Sequence, residues 1–365
     1  MTRSFDLNLL PVLVKIYEHG SVSAAAAHLG MSQSAVSGVL AKLRELYGDP
    51  LFHRVGHGMR PTARMNALIS PLRESLQRVD GTLVRELART AIADVTPPGW
   101  TAPEEFVAKA ADGVTNLHGL LYKPYDFDPG RRYPVVETIY AGVGEQAIPH
   151  IFADAVPDSL LLQGGEPLND ALRRAGFVVF AVDGRGTPGR SKAFEDVVYG
   201  RLGQHEIPDH VAALRAVAAA RPYIDMDRVG IAGPSYGGFF AIRALLQAPD
   251  VYKVAVARAP GGNRLDGPQG GTEPYMGTPG PGNAGAYVAA SNEHLIDTMR
   301  GKLMLILGTS DMNTPFYNIR YVESLAAADK QYRLIILPQA GHSTGKNPYV
   351  LSNTLDFLVE NLMLE

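Results

Sequence analysis

Residues 228–246 read Arg228-Val229-Gly230-Ile231-Ala232-Gly233-Pro234-Ser235-Tyr236-Gly237-Gly238-Phe239-Phe240-Ala241-Ile242-Arg243-Ala244-Leu245-Leu246. The first residues form a short apolar run suited to a buried strand, and the last eight suit a helix. A Gly-x-Ser-x-Gly turn joins them. Strand, tight turn and helix in that order make a nucleophile elbow, in which a strained turn projects the serine hydroxyl from the sheet. The flanking residues must be small, because a Cβ would forbid the backbone angles the turn needs. The hydroxyl then lies near the positive end of the following helix. Taken alone, the same letters also fit an ordinary glycine-rich βα connection, so the decision rests on the rest of the chain.

Two later strand exits complete a constellation. Leu303-Met304-Leu305-Ile306-Leu307 leads into Gly308-Thr309-Ser310-Asp311, and Arg333–Leu337 leads into Ala340-Gly341-His342. The chain order Ser235, Asp311, His342 is that of α/β-hydrolases. Serine is a weak nucleophile until a base takes its proton, and histidine is the base that titrates nearest neutrality. A buried carboxylate would hold the imidazole tautomer and stabilise the imidazolium. The backbone N–H of Tyr236 is the first expected donor to an oxyanion. A second is expected from Tyr140-Ala141-Gly142-Val143-Gly144, which ends the Pro134–Tyr140 run, although a core tyrosine beside a glycine turn explains that stretch equally well.

From residue 104 onward, apolar β-like runs alternate with helical ones, the pattern of an α/β sheet with its site at the carboxyl ends of the strands. The fold class expected is therefore an α/β-hydrolase over 104–365, preceded by a small helical domain. Strands are expected at Leu117–Tyr122, Pro134–Tyr140, Phe177–Val182, Val229–Ala232, Val254–Ala257, Leu303–Leu307 and Arg333–Leu337. His205, Glu206, Asp209 and His210 could suggest a metal site, but a solvated helix start is the expectation there. Asp183-Gly184-Arg185-Gly186 lacks a phosphate-loop lysine and is expected to shape the site wall. The Gly/Pro-rich stretch 261–284 is expected to be a mobile loop over the pocket.

This part of the chain, from about 97 to 362, resembles the catalytic domain of the prolyl oligopeptidase family of serine peptidases. The nearest branch is that of dipeptidyl-peptidase IV and acylaminoacyl-peptidase. The resemblance is carried by Tyr133-Pro134 with Tyr140-Ala141-Gly142, Asp183-Gly184-Arg185-Gly186-Thr187 and Gly233–Gly238. It continues through Glu273-Pro274-Tyr275-Met276-Gly277, Gly308-Thr309-Ser310-Asp311-Met312-Asn313 and Gly341-His342. It implies Ser235 as nucleophile, His342 as base, Asp311 as its orienting carboxylate and the Tyr140 phenol as an oxyanion donor beside the Tyr236 N–H. It also implies that Tyr275 lines a pocket for a small P1 side chain such as proline and that Asn313 helps hold a substrate carbonyl. No cofactor or metal is implied. The sequence departs from the branch at Pro234, where tryptophan is usual, and after Ala259-Pro260, where the pocket's aromatics are missing. The family's β-propeller does not fit in 365 residues, so a more open site is expected.

The N-terminal stretch is different. Asp6 can cap a helix with the stripe Leu7, Leu10, Leu13, Val14 and Tyr17, followed by an alanine-rich helix over 21–29 with Val22, Ala26 and Leu29 facing inward. After Gly30-Met31, Ser32 caps a third helix with Val36, Val39, Leu40 and Leu43 on one face, making a helix-turn-helix. Gln33, Ser34 and Ser37 lie where they could reach base edges, and Lys42 where it could reach phosphate. Asp49–Arg54 and Met59–Thr62 look like a two-stranded wing, with Arg54 and Arg60 as phosphate contacts. A long amphipathic helix follows from Thr62 to about Arg89, with Ala67, Leu68, Leu72, Leu76, Val79 and Leu83 on one side. Gly20–Gly30, Ser32–Ser37 and Asp49–Arg54 resemble the winged helix-turn-helix of LysR-type transcriptional regulators. That resemblance implies double-stranded DNA bound through residues 1–61 and a homodimer formed by the helix at 62–94. Residues 95–103, rich in proline, read as a linker.

Bulk properties agree with two modules. Residues 1–94 hold 11 lysines and arginines against 8 acidic residues, and 95–365 hold 23 against 29. The mildly basic part thus precedes an acidic one. With 46% hydrophobic residues a large core can form, and with no cysteine both disulfides and thiolate chemistry are excluded. No apolar run approaches a membrane span, and a cytoplasmic protein is expected. The substrate expected is a peptide or small acyl compound. The alternative function is a transcriptional regulator that uses the hydrolase fold to sense a ligand.

Overall fold

In the computed structural model the chain divides into two compact units, 1–90 and 91–365. The structure describes residues 10–56, 58–76, 96, 98–143, 145–148, 167–261, 264 and 269–364. Outside the described residues lie the Asp6 cap, Leu7, Gly144, positions 95 and 97 of the proline-rich linker and the long helix beyond residue 76, with Val79 and Leu83.

The first unit is built by local signals. Helices α1 (Leu10–His19), α2 (Val22–Leu29) and α3 (Gln33–Tyr47) pack together. The Oγ of Ser21 accepts from Ala24 N–H, and that of Ser32 accepts from Ala35 N–H, so each serine satisfies a helix N–H that has no partner within the helix. Gly30 closes α2 at φ +64°, where a side chain is unfavourable. Ile16, Val36, Leu40 and Leu43 are buried. On α2 the deepest residues are Ala25 and Ala26 rather than Val22 and Leu29, which are only partly covered. The small side chains face the core because the helices cross closely there.

Strands β1 (Phe52–Val55) and β2 (Gly58–Pro61) form the antiparallel wing, and α4 (Ala63–Leu76) follows. The wing is pinned from both sides. Arg44 donates to the Pro50 and Phe52 carbonyls. The Asp49 carboxylate accepts from Leu51 N–H and from the Thr62 hydroxyl, and these bonds hold its pKa below the usual carboxylate range.

The second unit has one eight-stranded sheet. Its strands are β3 (Glu104–Lys109), β4 (Asn116–Tyr122), β5 (Tyr133–Thr138), β6 (Val178–Asp183), β7 (Ile224–Pro234), β8 (Tyr252–Arg258), β9 (Lys302–Gly308) and β10 (Tyr332–Leu337). The spatial order is β10-β9-β8-β7-β5-β6-β4-β3. Only the β3–β4 and β4–β6 pairs are antiparallel. Among the described residues its longer helices are α5 (Pro167–Arg174), α6 (Glu206–Ala219), α7 (Tyr236–Gln247), α8 (Gln269–Met276), α9 (Ala284–Ala289), α10 (Pro315–Ala327) and α11 (Pro348–Leu362), with a single turn at Lys192–Glu195.

Helices cover both faces, which is why the central strands read as unbroken apolar runs rather than alternating ones. One face packs on α6 and α7 through Leu214, Val217, Phe239 and Phe240. The other packs on α5 and α11 through Leu172, Phe357, Leu358 and Leu362. The expected α/β-hydrolase architecture is present, with a helix-turn-helix unit before it. Two expectations are corrected. The 261–284 stretch contains the helix α8, because Gln269–Met276 bury Thr272 and Met276 against the domain. The start of α6 is not solvated, since Glu206, Asp209 and His210 are all fully buried. Among the described residues no helix is long and apolar enough to cross a membrane.

Candidate active site

The elbow is a consequence of crowding. Ser235 joins β7 to α7 at φ 53° and ψ −117°, a conformation that non-glycine residues avoid. Its N–H donates to the Arg258 carbonyl at 2.8 Å, tying the turn to β8. A Cβ on Gly237 would lie 2.1 Å from the Ile139 carbonyl oxygen, and one on Gly233 would lie 2.5 Å from the same atom. The chain leaving β5 therefore admits no side chain two residues before or two residues after the serine.

Three other non-glycine residues with positive φ stand at strand exits beside it: Ala141 after β5, Ala259 after β8 and Gln339 after β10. The carboxyl edge of the parallel strands is thus a strained rim. Tyr140, Ser235, Asp311 and His342 all lie on it. The Tyr140 phenol lies close enough to the Ser235 side chain to interact with it. Burial, then the nearby Glu145 charge, raise the phenol's pKa, so it remains a neutral donor at physiological pH. Tyr236 opens α7, where helix N–H groups point outward along the axis. Its phenol is also raised, chiefly by burial.

Asp311 and His342 are held by two interlocked turns. The Ser310 N–H donates to the Ala340 carbonyl at 2.9 Å, and the Gln339 N–H donates to the Thr309 hydroxyl at 2.8 Å. His342 Nδ1 then lies 3.0 Å from Asp311 Oδ2. Because the carboxylate can only accept, Nδ1 carries the proton and Nε2 is left as the basic nitrogen. Asp311 is 3% exposed. Oδ1 accepts from the N–H groups of Asn313 and Thr314, and Oδ2 also accepts from the Thr314 hydroxyl at 2.6 Å. Burial alone would raise the carboxyl's pKa, but the Thr314, His342 and Asn313 hydrogen bonds outweigh it and the net shift is downward.

Thr314 is a member of this arrangement that sequence reasoning passed over. The Asp-x-x-Thr spacing of a turn whose side chains bond back on themselves was the available signal. Asn313 serves first through its backbone, and its side chain is exposed. Tyr275 is partly buried on α8 and acts electrostatically on the Tyr236 phenol.

The Asp183–Gly186 segment is tied to its surroundings. Asp183 accepts from Ala147 N–H at 2.7 Å, fixing the stretch beyond Tyr140. Arg185 grips Asp209 with two nitrogens and Asp112 with a third. Beneath them lies a group that sequence reading did not find. His210 Nδ1 donates to Glu137 Oε1, while the Tyr252 hydroxyl donates to Glu137 Oε2 at 2.6 Å. A cavity of about 280 Å³ opens beside Pro234, lined by residues that include Tyr140, Glu145, Asn169 and Arg258.

In the first unit Gln33, Ser34, Ser37 and Lys42 are exposed on α3, as are Arg54 and Arg60 on the wing. Gln33, Ser34 and Ser37 lie within one arc, and Lys42 lies about 180° from Gln33 at 100° per residue. The wing register pairs His53 with Arg60 and Arg54 with Met59, which sets the two arginines on opposite faces of the ribbon.

Comparison with known proteins places both units. Residues 169–365 match the prolyl oligopeptidase family, and residues 7–65 match the bacterial regulatory helix-turn-helix protein, lysR family. Dipeptidyl peptidase 8 of Homo sapiens is 36% identical over 273 residues, covering 73% of this chain and 29% of the relative. Venom dipeptidyl peptidase 4 of Vespa velutina is 29% identical over 244 residues, covering 65% and 30%. The crystal structure of Porphyromonas gingivalis dipeptidyl peptidase 4 superposes with a TM-score of 0.64 at 28% identity, over 72% of this chain and 36% of that one. The chain thus spans less than a third of the length of the curated relatives it matches.

Proposed function

The chain belongs to the prolyl oligopeptidase family of serine peptidases, and from that premise we propose that it hydrolyses short peptides or acyl-amino acids through an acyl-enzyme on Ser235. The observation that carries this is the Asp311–His342 pair at 3.0 Å, on the same strained rim as the Ser235 elbow. Ser235 Oγ attacks the substrate carbonyl while His342 Nε2 takes its proton. The Tyr140 hydroxyl and the Tyr236 N–H donate to the oxyanion. His342 passes the proton to the leaving amine, then draws one from water, whose oxygen attacks the acyl carbon and frees Ser235. Asp311 keeps Nδ1–H in place throughout. The resemblance suggests X-Pro or acyl-aminoacyl bonds, with Tyr275 and Asn313 near the substrate.

A fluorophosphonate probe tests the reading on the full-length protein. Labelling is expected in the wild type and lost in Ser235→Ala. An unlabelled wild type would overturn it.

We also infer that the first unit binds double-stranded DNA. Support comes from the exposed polar arc of Gln33, Ser34 and Ser37 and from Lys42, Arg54 and Arg60 outside it. The roles differ: the arc can read base edges, and the cations can hold phosphate. Dimerisation through the helix at 62–94 would give a dyad-symmetric site. Binding is expected to weaken steeply with salt, and Arg54→Ala to weaken it on all sequences alike. Equal affinity for a dyad-symmetric promoter fragment and its scrambled copy would remove the sequence-reading role. If the hydrolase fold instead senses a ligand for the regulator, Ser235→Ala leaves regulation intact.

A further inference from the structure

Two arginines are buried against the same Phe239 ring, and they are treated differently. Arg243, on α7, is 2% exposed. Its Nε donates to the Gly203 carbonyl, Nη1 to Ser291 O and Asn292 Oδ1, and Nη2 to Ala289 O. Every nitrogen is answered, as a structural arginine in a core requires. Arg264 is 6% exposed, and its guanidinium lies 3.7 Å from the Phe239 centroid and 4.8 Å from that of Tyr236. Its backbone N–H donates to Ser291 Oγ at 3.0 Å, which fixes the residue at its base. Its Nε and Nη2 have no hydrogen-bond partner among the described residues.

A guanidinium held against two rings with unanswered donors is suited to a planar anion. Its position says which one. Tyr236 follows the candidate nucleophile, and Gly261 follows the β8 exit at Ala259-Pro260; a Cβ on Gly261 would come within 3.5 Å of Arg264 Nη1. The guanidinium therefore stands beside the residue that follows Ser235 and next to the exit of β8. Two carboxylates, Glu293 and then the buried Glu206, act on this charge at a distance, and neither bonds Nε or Nη2; the Glu206 oxygens accept from Gly203 and His205 N–H. Burial also pushes Glu206 toward its neutral form.

We propose that Arg264 makes the acyl-side pocket an anion pocket, so that the preferred substrate carries an aspartyl or glutamyl side chain next to the carbonyl that Ser235 attacks. This rests on the hydrolase reading above and names its substrate class. The carboxylate would accept from Nε and Nη2 in parallel, the fork-to-fork pairing that lysine cannot reproduce.

The test compares matched N-blocked and dipeptidyl p-nitroanilides with P1 Glu, Gln, Ala and Pro on the full-length protein. The isosteric Glu/Gln pair isolates the charge. The kcat/KM ratio of Glu to Gln is expected to be about 100. In Arg264→Met it should fall toward one, and Arg264→Lys should recover only part of it. Fluorophosphonate labelling of each variant shows that the site is still formed. A Glu/Gln ratio near one in the wild type overturns the proposal, as does faster turnover of P1 Pro. A ratio unchanged by Arg264→Met overturns it too, and so does a labelled enzyme that cleaves no acidic substrate. Absence of wild-type labelling is a different result, because it removes the hydrolase reading itself.

Discussion

Two carboxylate–histidine pairs stand on the same sheet, and they are not the same device. Asp311–His342 sits beyond the carboxyl ends of β9 and β10, with the histidine side chain 25% exposed. Glu137–His210 lies between β5 and α6 with both side chains at 0%, closed by the Tyr252 hydroxyl. The first carboxylate is fed by a local turn, and its histidine can meet a substrate. The second draws its partners from residues 73 and 115 positions away, and nothing outside can reach it. Ionisable groups in contact do not by themselves mark a site. Access at the outer nitrogen separates a base from a brace.

The largest expected effect is on the first pair. Asp311→Asn should lower kcat/KM by about 10³–10⁴, because the amide can favour the wrong tautomer. The thermal midpoint should move little. A comparable loss in stability instead would make this pair a second brace. The next largest effect is on the other pair. Glu137→Gln should cost about 3–5 kcal/mol in urea unfolding, by leaving buried partners uncompensated. The turnover per folded molecule should stay near wild type, and a selective loss of kcat would erase the distinction.

The pairs should also differ in the sign of their pH dependence. For His210 burial lowers the pKa, but the Glu137 charge and hydrogen bond raise it further, so the net shift is upward from 6.5. Its contribution to stability is complete below the unfolded value and fades as pH rises through the folded one. Asp311 is shifted down from 3.8, so its contribution is present above that value and fades as pH falls through the folded one. The stability gap between wild type and Glu137→Gln should therefore narrow on the alkaline side. A gap that widens there would contradict the assignment.

Smaller effects sharpen the picture. Thr314→Val removes one donor to Asp311 and should reduce kcat/KM by roughly tenfold, the equivalent of one hydrogen bond of about 1.4 kcal/mol. No change would mean that the two backbone N–H groups suffice. Smallest is Gly30→Ala in the helix-turn-helix. A Cβ there meets nothing within 4 Å, so only the φ of +64° opposes it. The cost should be about 1 kcal/mol, read from the melting of the first unit.

What could be read from residues alone follows the same division. Ser32 and Gly30 act on neighbours in the chain, and their roles were plain from spacing, whereas Ser21 was counted into the helix that it caps. The Ser235 elbow and the Asp311–His342 contact were legible because strand exits and chain order announce them. Strand β3 was missed because Glu104, Glu105 and Lys109 interrupt it, as suits an edge strand. Glu137 passed unnoticed inside an apolar run, and the start of α6 looked solvated, because the partners of Glu137, Asp209 and His210 lie tens of residues away. Arg264 looked like any loop arginine, since only the folded rings of Phe239 and Tyr236 show where it rests. The 261–284 stretch has the composition of a loop, yet packing makes a helix of part of it.

The strained rim has a consequence for how the molecule comes apart. Ala141, Ser235, Ala259 and Gln339 are held at unfavourable angles by the packing around them, whereas the strands beneath are relaxed and apolar. Under mild denaturant that edge should let go first. Catalysis would then fade while the circular dichroism of the sheet persists, making activity an early gauge of damage that the bulk fold has yet to register.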